Sequence, residues 1–169
     1  MELQLSNISL CTLIDVEDLN RILAHSESWL ACFRANAQKE KVVKSVEAWS
    51  CLERKKVRLA RIILNYNGPL SVDHIDRNPL NNQKSNLRVV TRQQNNFNQG
   101  LRLSSKSPYK CVFRVAAKDN ISKPWRVCVM ANGKPHYGGY FATPEEAAFK
   151  ANELLKLHHG DFAYQNIVG

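Results

Sequence analysis

The chain has 169 residues, a formal net charge of +9 and a pI near 9.5. That length holds two small modules or one modest domain, and the basic balance favours nucleic acid over acidic protein partners. Five cysteines without a Cys-x-x-Cys pair, no secretory leader and no apolar run of membrane-spanning length argue against structural zinc, secretion and a membrane protein, and for reduced thiols inside a cell.

Taken in chain order, residues 3–14 are apolar but carry no clear period. Residues 15–25 read as a short helix with Asp15 as its cap. Residues 29–35 and 42–49 alternate as strands do. Residues 54–65 read as a basic helix with Leu59, Ile62 and Ile63 turned inward. Residues 70–75 are a short strand, 76–85 a loop marked by Asn78-Pro79 and Asn81-Asn82, and 87–90 a second short strand. Thr91 is placed to cap a helix that runs to about Asn98. Residues 101–108 make a natural linker. Three strands follow at 109–115, 124–129 and 135–141, the last two joined by Asn132-Gly133, a strong hairpin signal. Thr143-Pro144-Glu145-Glu146 opens a helix with an apolar stripe of Ala147, Ala148, Ala151, Leu154 and Leu155, and Gly160 stops it.

The densest chemistry lies between Val72 and Asn95. Asp73, His74, Asp76, Asn81, Asn82, Asn86 and Asn95 crowd two carboxylates, an imidazole and four amides into about two dozen residues. A calcium loop does not fit, since a loop starting at Asp76 has Asn81 where Gly is needed and Leu87 where Glu is needed. The spacing resembles the HNH nuclease motif in the variant whose third member is Asn, with His74, Asn86 and Asn95 at the three motif positions and Asp73 just before the first. The resemblance covers residues 69–98 and implies a ββα-metal unit. The chemistry follows from the side chains. Asp73 offers a carboxylate and Asn95 an amide oxygen, a sparse hard-oxygen set that leaves room for phosphate and water on one Mg²⁺ (or Mn²⁺) ion. His74 can take the proton from an attacking water, because an unperturbed imidazole titrates at about 6.5. Asn86 belongs to the catalytic set through a structural duty, bonding the loop's own backbone and fixing the angle of His74. Asp73 and His74 are adjacent, so both can serve one ion only if the strand is irregular or ends there. Similar phage-type nucleases carry a His-Arg pair before the motif, and here the pair reads Ala60-Arg61. Arg61 either contacts the scissile phosphate or is simply a surface residue.

The last sixty residues have their own signature. Gly139-Tyr140-Phe141-Ala142-Thr143-Pro144-Glu145-Glu146-Ala147-Ala148 and the closing His159-Gly160-Asp161-Phe162-Ala163 resemble the DNA-binding domain of plant ethylene-response factors, which also follows HNH modules in phage and mobile-element nucleases. Between residues 101 and 135 stand eight Lys or Arg (including Arg102, Lys106, Lys118 and Lys123) against one acid, Asp119. Such a basic sheet is the footprint of a polyanion partner. Lys110, Arg114, Arg126 and Lys134 are the expected phosphate contacts, and Phe113 and Tyr137 the expected base contacts. The plant arginine code does not carry over, because Phe113, Val115 and Cys128 stand at matching positions. Trp125 is assigned to the core between sheet and helix.

The expected architecture is α+β: an N-terminal segment (1–66) buttressing a ββα-metal nuclease module (67–100), a linker (101–108), and a three-stranded antiparallel sheet packed on one helix (109–169). The expected function is a metal-dependent DNA endonuclease, nicking or homing-like, acting on double-stranded DNA inside a bacterial or phage-infected cell. One alternative is a sequence-recognising DNA-binding protein with a degenerate nuclease centre, suggested by Ala60. An RNA-directed protein is another, suggested by charge alone. Oligomeric state and target site stay open.

Overall fold

A computed structural model describes residues 1–35, 40–101, 105–115 and 122–169. Arg102, Lys118 and Asp119 of the charge count, and residues 102–104 of the linker, lie outside the described residues. The chain packs as two units, Met1–Arg92 and Gln93–Gly169.

In the first unit, the apolar start forms a hairpin of β1 (Glu2–Gln4) and β2 (Cys11–Leu13). A 3-10 turn at Val16–Asp18 leads into α1 (Leu19–His25). Asp15 stands before that turn without capping it; its carboxylate instead accepts from Lys84 N (2.8 Å) and Gln83 Nε2 (3.1 Å). Then β3 (Leu30–Ala35), β4 (Lys41–Ser50) and β5 (Lys55–Arg58) make an antiparallel sheet with β4 central. The helix expected over 54–65 is therefore half strand. Lys55, Lys56 and Arg58 are exposed around a buried Val57, an alternation that suits an edge strand guarded by charge. Only α2 (Leu59–Ile63) is helical, with Leu59, Ala60, Ile62 and Ile63 buried. Trp29, Ile14, Ile22 and Leu59 are fully buried in one core. Leu87 belongs to the same cluster, with Val72 and Leu80 packed against it.

The second hairpin of this unit pairs β6 (Ser71–His74) with β7 (Leu87–Val90), Asp73 opposite Arg88 and His74 opposite Leu87. Its long loop is gripped by β2. Leu13 N donates to Leu80 O (2.7 Å), Asn82 N donates to Leu13 O (2.8 Å) and Thr12 Oγ1 donates to Leu80 O (2.8 Å). Helix α3 (Arg92–Asn98) follows β7, giving strand, strand, helix along the chain.

The second unit holds a sheet of β8 (Val112–Arg114), β9 (Trp125–Ala131) and β10 (Lys134–Phe141), with β9 central, and α4 (Pro144–His159) packed on it. Asn132 (φ 51°) and Gly133 (φ 74°) take the left-handed conformations that a two-residue hairpin needs. Thr143 Oγ1 accepts from Glu146 N at 3.2 Å, capping α4. Val112 and Val127 meet Ala147, Ala148 and Ala151, with Trp125 and Leu154 packed around them. The alanines let the helix come close, and Gly138 completes the fit, since a Cβ there would lie 2.8 Å from Val127 Cγ1.

Candidate active site

The loop between β6 and β7 is built on Asp76 and Asn86. Asp76 Oδ1 accepts from Asn78 N (2.8 Å) and Asn86 Nδ2 (2.9 Å), and Oδ2 accepts from Asn81 Nδ2 (2.8 Å). Asn86 Oδ1 accepts from Asp76 N (3.0 Å) while its Nδ2 also donates to Asn81 O (2.8 Å), and Asn86 O accepts from Ile75 N (2.9 Å). One amide thus ties both ends of the turn. Burial works to raise the Asp76 carboxyl pKa, but the hydrogen bonds from Asn78, Asn81 and Asn86 and the nearby His74 outweigh it and hold it below the ordinary range.

His74 is the last residue of β6, so the strand ends where the adjacent Asp73 and His74 must diverge in duty. The His74 Nε2 atom lies 3.1 Å from Asn82 Oδ1. Asn82 is almost fully buried, and its Nδ2 donates to Thr12 Oγ1 (2.8 Å) and Pro79 O (3.0 Å). The Pro79 carbonyl accepts only, which fixes which way the amide faces. An amide oxygen facing a ring nitrogen requires that nitrogen to carry the proton. In the neutral ring Nε2 is therefore the N–H, and the lone pair falls on Nδ1. The sequence marked Asn82 as part of the polar loop but not as the partner of His74, and it did not mark Thr12 at all; Thr12 and Asn82 are 70 residues apart, beyond any local pattern.

Asp73 is buried and ion-paired with Arg88, whose Nε and Nη2 reach Oδ2 at 3.1 and 3.0 Å. Sequence reasoning missed Arg88. The signal was present, since two antiparallel strands of this length place Asp73 opposite Arg88 and opposite charges pair across strands. Arg61 spends its guanidinium on the turn before β6, donating to Gly68 O (3.0 Å) and Leu70 O (2.6 Å), with the Tyr66 ring 5.4 Å away. A cleft of about 100 Å³ opens at His74, lined by Lys44, Arg58, Ala60, Val72 and Asn82. Ala60 thus borders the space beside the imidazole, and three cations, Lys44, Arg58 and Arg61, line it. A larger cleft of about 350 Å³, between Glu47, Glu53, Lys55 and Asn67, reaches neither Asp73 nor His74.

Asn95 lies on α3, within the second unit, half-buried. Among the described residues no cluster of three or more His, Cys, Asp or Glu side chains is arranged to hold a metal. By donor chemistry, a carboxylate such as that of Asp73 and an amide oxygen such as that of Asn95 are the hard oxygens that a divalent ion takes.

On the C-terminal sheet, the residues alternating with buried Val112 and Val127 face away from α4. Phe113, Arg126 and Tyr140 stand side by side across the three strands, and Tyr137 stands opposite Cys128. Phe113, Tyr137 and Tyr140 are 48%, 66% and 51% exposed, so the open face is aromatic. Arg126 lies in its centre, half-buried, its Nε without a hydrogen-bond partner among the described residues. Tyr140 escaped sequence reasoning because a bulge between Tyr137 and Gly139 shifts the register and brings both tyrosines to one face. Arg114 alternates with Phe113 and lies against the Trp125 ring (5.9 Å). Lys134 is exposed at the hairpin end. Lys110 Nζ donates to Phe97 O (2.7 Å) and Gln99 O (2.6 Å).

Residues 61–97 match the family model described as HNH endonuclease. An uncharacterized HNH endonuclease of Acanthamoeba polyphaga mimivirus is 38% identical over 95 residues, covering 56% of this chain and 46% of the viral protein. The chain thus spans less than half the length of that relative. No solved structure matches. The matched segment contains Arg61, Asp73, His74, Asn86 and Asn95, so the similarity to HNH endonucleases falls on the motif loop and its flanks.

Proposed function

We propose that the protein is a metal-dependent DNA endonuclease that hydrolyses phosphodiester bonds of duplex DNA, one strand per binding event, within a cell whose reducing interior suits its unpaired cysteines. The observation that carries this reading is the His74 tautomer. Asn82 holds the Nε2–H, and Nδ1 takes the proton from the attacking water beside a cleft flanked by Lys44 and Arg58. Asp73 and Asn95 would hold a Mg²⁺ or Mn²⁺ ion, whose chemistry when bound is to draw charge from the scissile phosphate and its leaving oxygen. Arg88 keeps the Asp73 carboxylate oriented, and Asn86 keeps the loop closed so that His74 does not swing. Arg61 acts through the turn it fastens. On the C-terminal sheet Phe113, Tyr137 and Arg126 face the duplex, while Lys134 and Arg114 add charge at its rim. This face supports the likeness to the ethylene-response-factor domain only in outline, because its centre is aromatic where the plant domain is rich in arginine.

A second reading has a specific observation behind it. Ala60 stands beside His74 where similar nucleases have histidine, and Arg61 is turned to backbone carbonyls. A DNA-binding protein with a weakened centre would look the same. Conversion of supercoiled plasmid to the nicked form, with Mg²⁺ and with excess chelator, separates the two. Nicking that stops in chelator supports the nuclease; duplex binding without nicking in either condition supports the second reading.

A further inference from the structure

Helix α3 has only seven residues, too few to be stable alone in water. From Gln93 onward it packs with the C-terminal unit, and its fastenings there are specific. The Phe97 ring lies flat on the His159 ring, centroids 3.6 Å apart and planes 6° apart. His159 is 6% exposed, and its Nε2 donates to Met130 O on β9 at 3.0 Å. A carbonyl only accepts, so that nitrogen carries the proton and the buried Nδ1 is left with a lone pair and no hydrogen-bond partner among the described residues. A neutral ring of this kind stacks on Phe97 without bringing a charge into the core. At the other end of the contact, Lys110 Nζ donates to the carbonyls of Phe97 and Gln99, and Tyr164 N donates to Phe97 O at 3.2 Å. The last carbonyls of a helix have no partners inside it, and a cation there also offsets the helix dipole. Lys110, read from the sequence as a phosphate contact, is committed to this helix end.

We propose that Lys110 and His159 are positioning residues for α3, and that they set the orientation of Asn95 from the C-terminal side. The proposal rests on the reading of Asn95 as a metal-binding residue. A chain ending near Gly100 would keep every motif residue and lose the clamp, so it should lose cutting altogether rather than retain weak nicking.

The test uses the full chain and two readouts that do not depend on cutting. Mn²⁺ is titrated while the side-chain amide signal of Asn95 is followed by NMR, and amide hydrogen exchange is followed over residues 93–98. In the wild type, Mn²⁺ should broaden the Asn95 signal. Lys110→Met should raise the Mn²⁺ concentration needed by roughly tenfold or more, the usual cost of losing a partner behind a metal ligand. It should also speed exchange in α3, and Lys110→Arg should restore most of both. Phe97→Leu, which keeps apolar volume but removes the flat stack, should behave like Lys110→Met and serves if that variant does not fold. If Asn95 broadens in the wild type but neither variant shifts the titration or the exchange, the clamp is wrong and the nuclease reading stands. If Mn²⁺ leaves Asn95 sharp in the wild type, Asn95 is no ligand and the proposal falls with that assignment.

Discussion

At His74, the neighbour of one ring nitrogen decides the work of the other. Asn82 binds Nε2–H and is itself held by Thr12 and Pro79. His74→Ala should lower the nicking rate by roughly 10²–10⁴-fold, the range for loss of a general base. Asn82→Ala should also slow nicking, and it removes the acceptor of the His74 N–H and the donor to the buried Thr12 hydroxyl, a cost of about 1–3 kcal/mol in unfolding free energy. A rate measurement beside a urea titration checks both. An Asn82→Ala protein that nicks at the wild-type rate would remove the tautomer argument. Asp73 needs a different substitution. Asp73→Ala removes the carboxylate that pairs with Arg88, only 16% exposed in its side chain, and should destabilise the unit by on the order of 3 kcal/mol. Asp73→Asn keeps the shape and an acceptor oxygen for Arg88 but removes the charge; it should stop cutting with duplex binding near the wild type and a smaller loss of stability than Asp73→Ala. Retained cutting by this variant would show that the carboxylate is dispensable.

At the scale of elements, hydrogen bonds and close packing impose distinct dependences. Asp76 accepts from three side-chain or backbone donors of its own loop, and its carboxyl stays below the ordinary range. Its contribution is present above a pH of about 4, the unfolded carboxylate value, and is lost as the pH falls through the lower folded value. His159 behaves in the opposite sense. Burial lowers its pKa, and the nearby Lys110, His158 and His136 add to the effect, against the bond to Met130. Above about pH 6.5 both states hold the ring neutral; below it the unfolded chain takes up a proton that the folded one resists. The C-terminal unit should therefore lose stability as the pH falls below about 6.5. His159→Gln should flatten that part of the curve in denaturant titrations at stepped pH; an unchanged curve would assign the dependence to other groups. Gly138→Ala should cost about 1–3 kcal/mol, the usual penalty of overpacking, because the new methyl meets Val127 and Leu154. Thermal melting measures it, and an unaltered melting temperature would mean that α4 yields without cost.

Over the whole molecule, what could be read from sequence was what lies close in sequence. The Asp73–His74 pair, the Asn86 clamp and the hairpin around them sit within two short strands and a turn, so residue types and turn chemistry sufficed. The capped α4 and the Asn132-Gly133 hairpin were legible for the same reason. The β5 strand was not: residues 54–65 have a helical apolar spacing, and only pairing with β4 overrides it. The bonds from β2 and Asp15 to the motif loop join residues about seventy positions apart, and the Phe97–His159 stack joins residues 62 apart; no local pattern announces them. The same scale governs DNA binding. A net charge of +9 and a sheet face carrying Arg126 predict duplex affinity that falls steeply with salt. Arg126→Ala with Lys134→Ala should flatten the slope of log affinity against log salt by about two phosphate contacts. Coincident slopes would mean that these cations do not meet phosphate.

The central claim is that His74, oriented by Asn82, is the base of a metal-dependent nuclease. The measurement that meets it most directly is single-turnover nicking of a supercoiled plasmid by the wild type and by His74→Ala, each in Mg²⁺ and in excess chelator. The account expects Mg²⁺-dependent nicking by the wild type, none in chelator, and a loss of roughly 10²-fold or more in His74→Ala at equal DNA binding. Equal nicking by the two proteins in Mg²⁺, or wild-type nicking that persists in chelator, would contradict it.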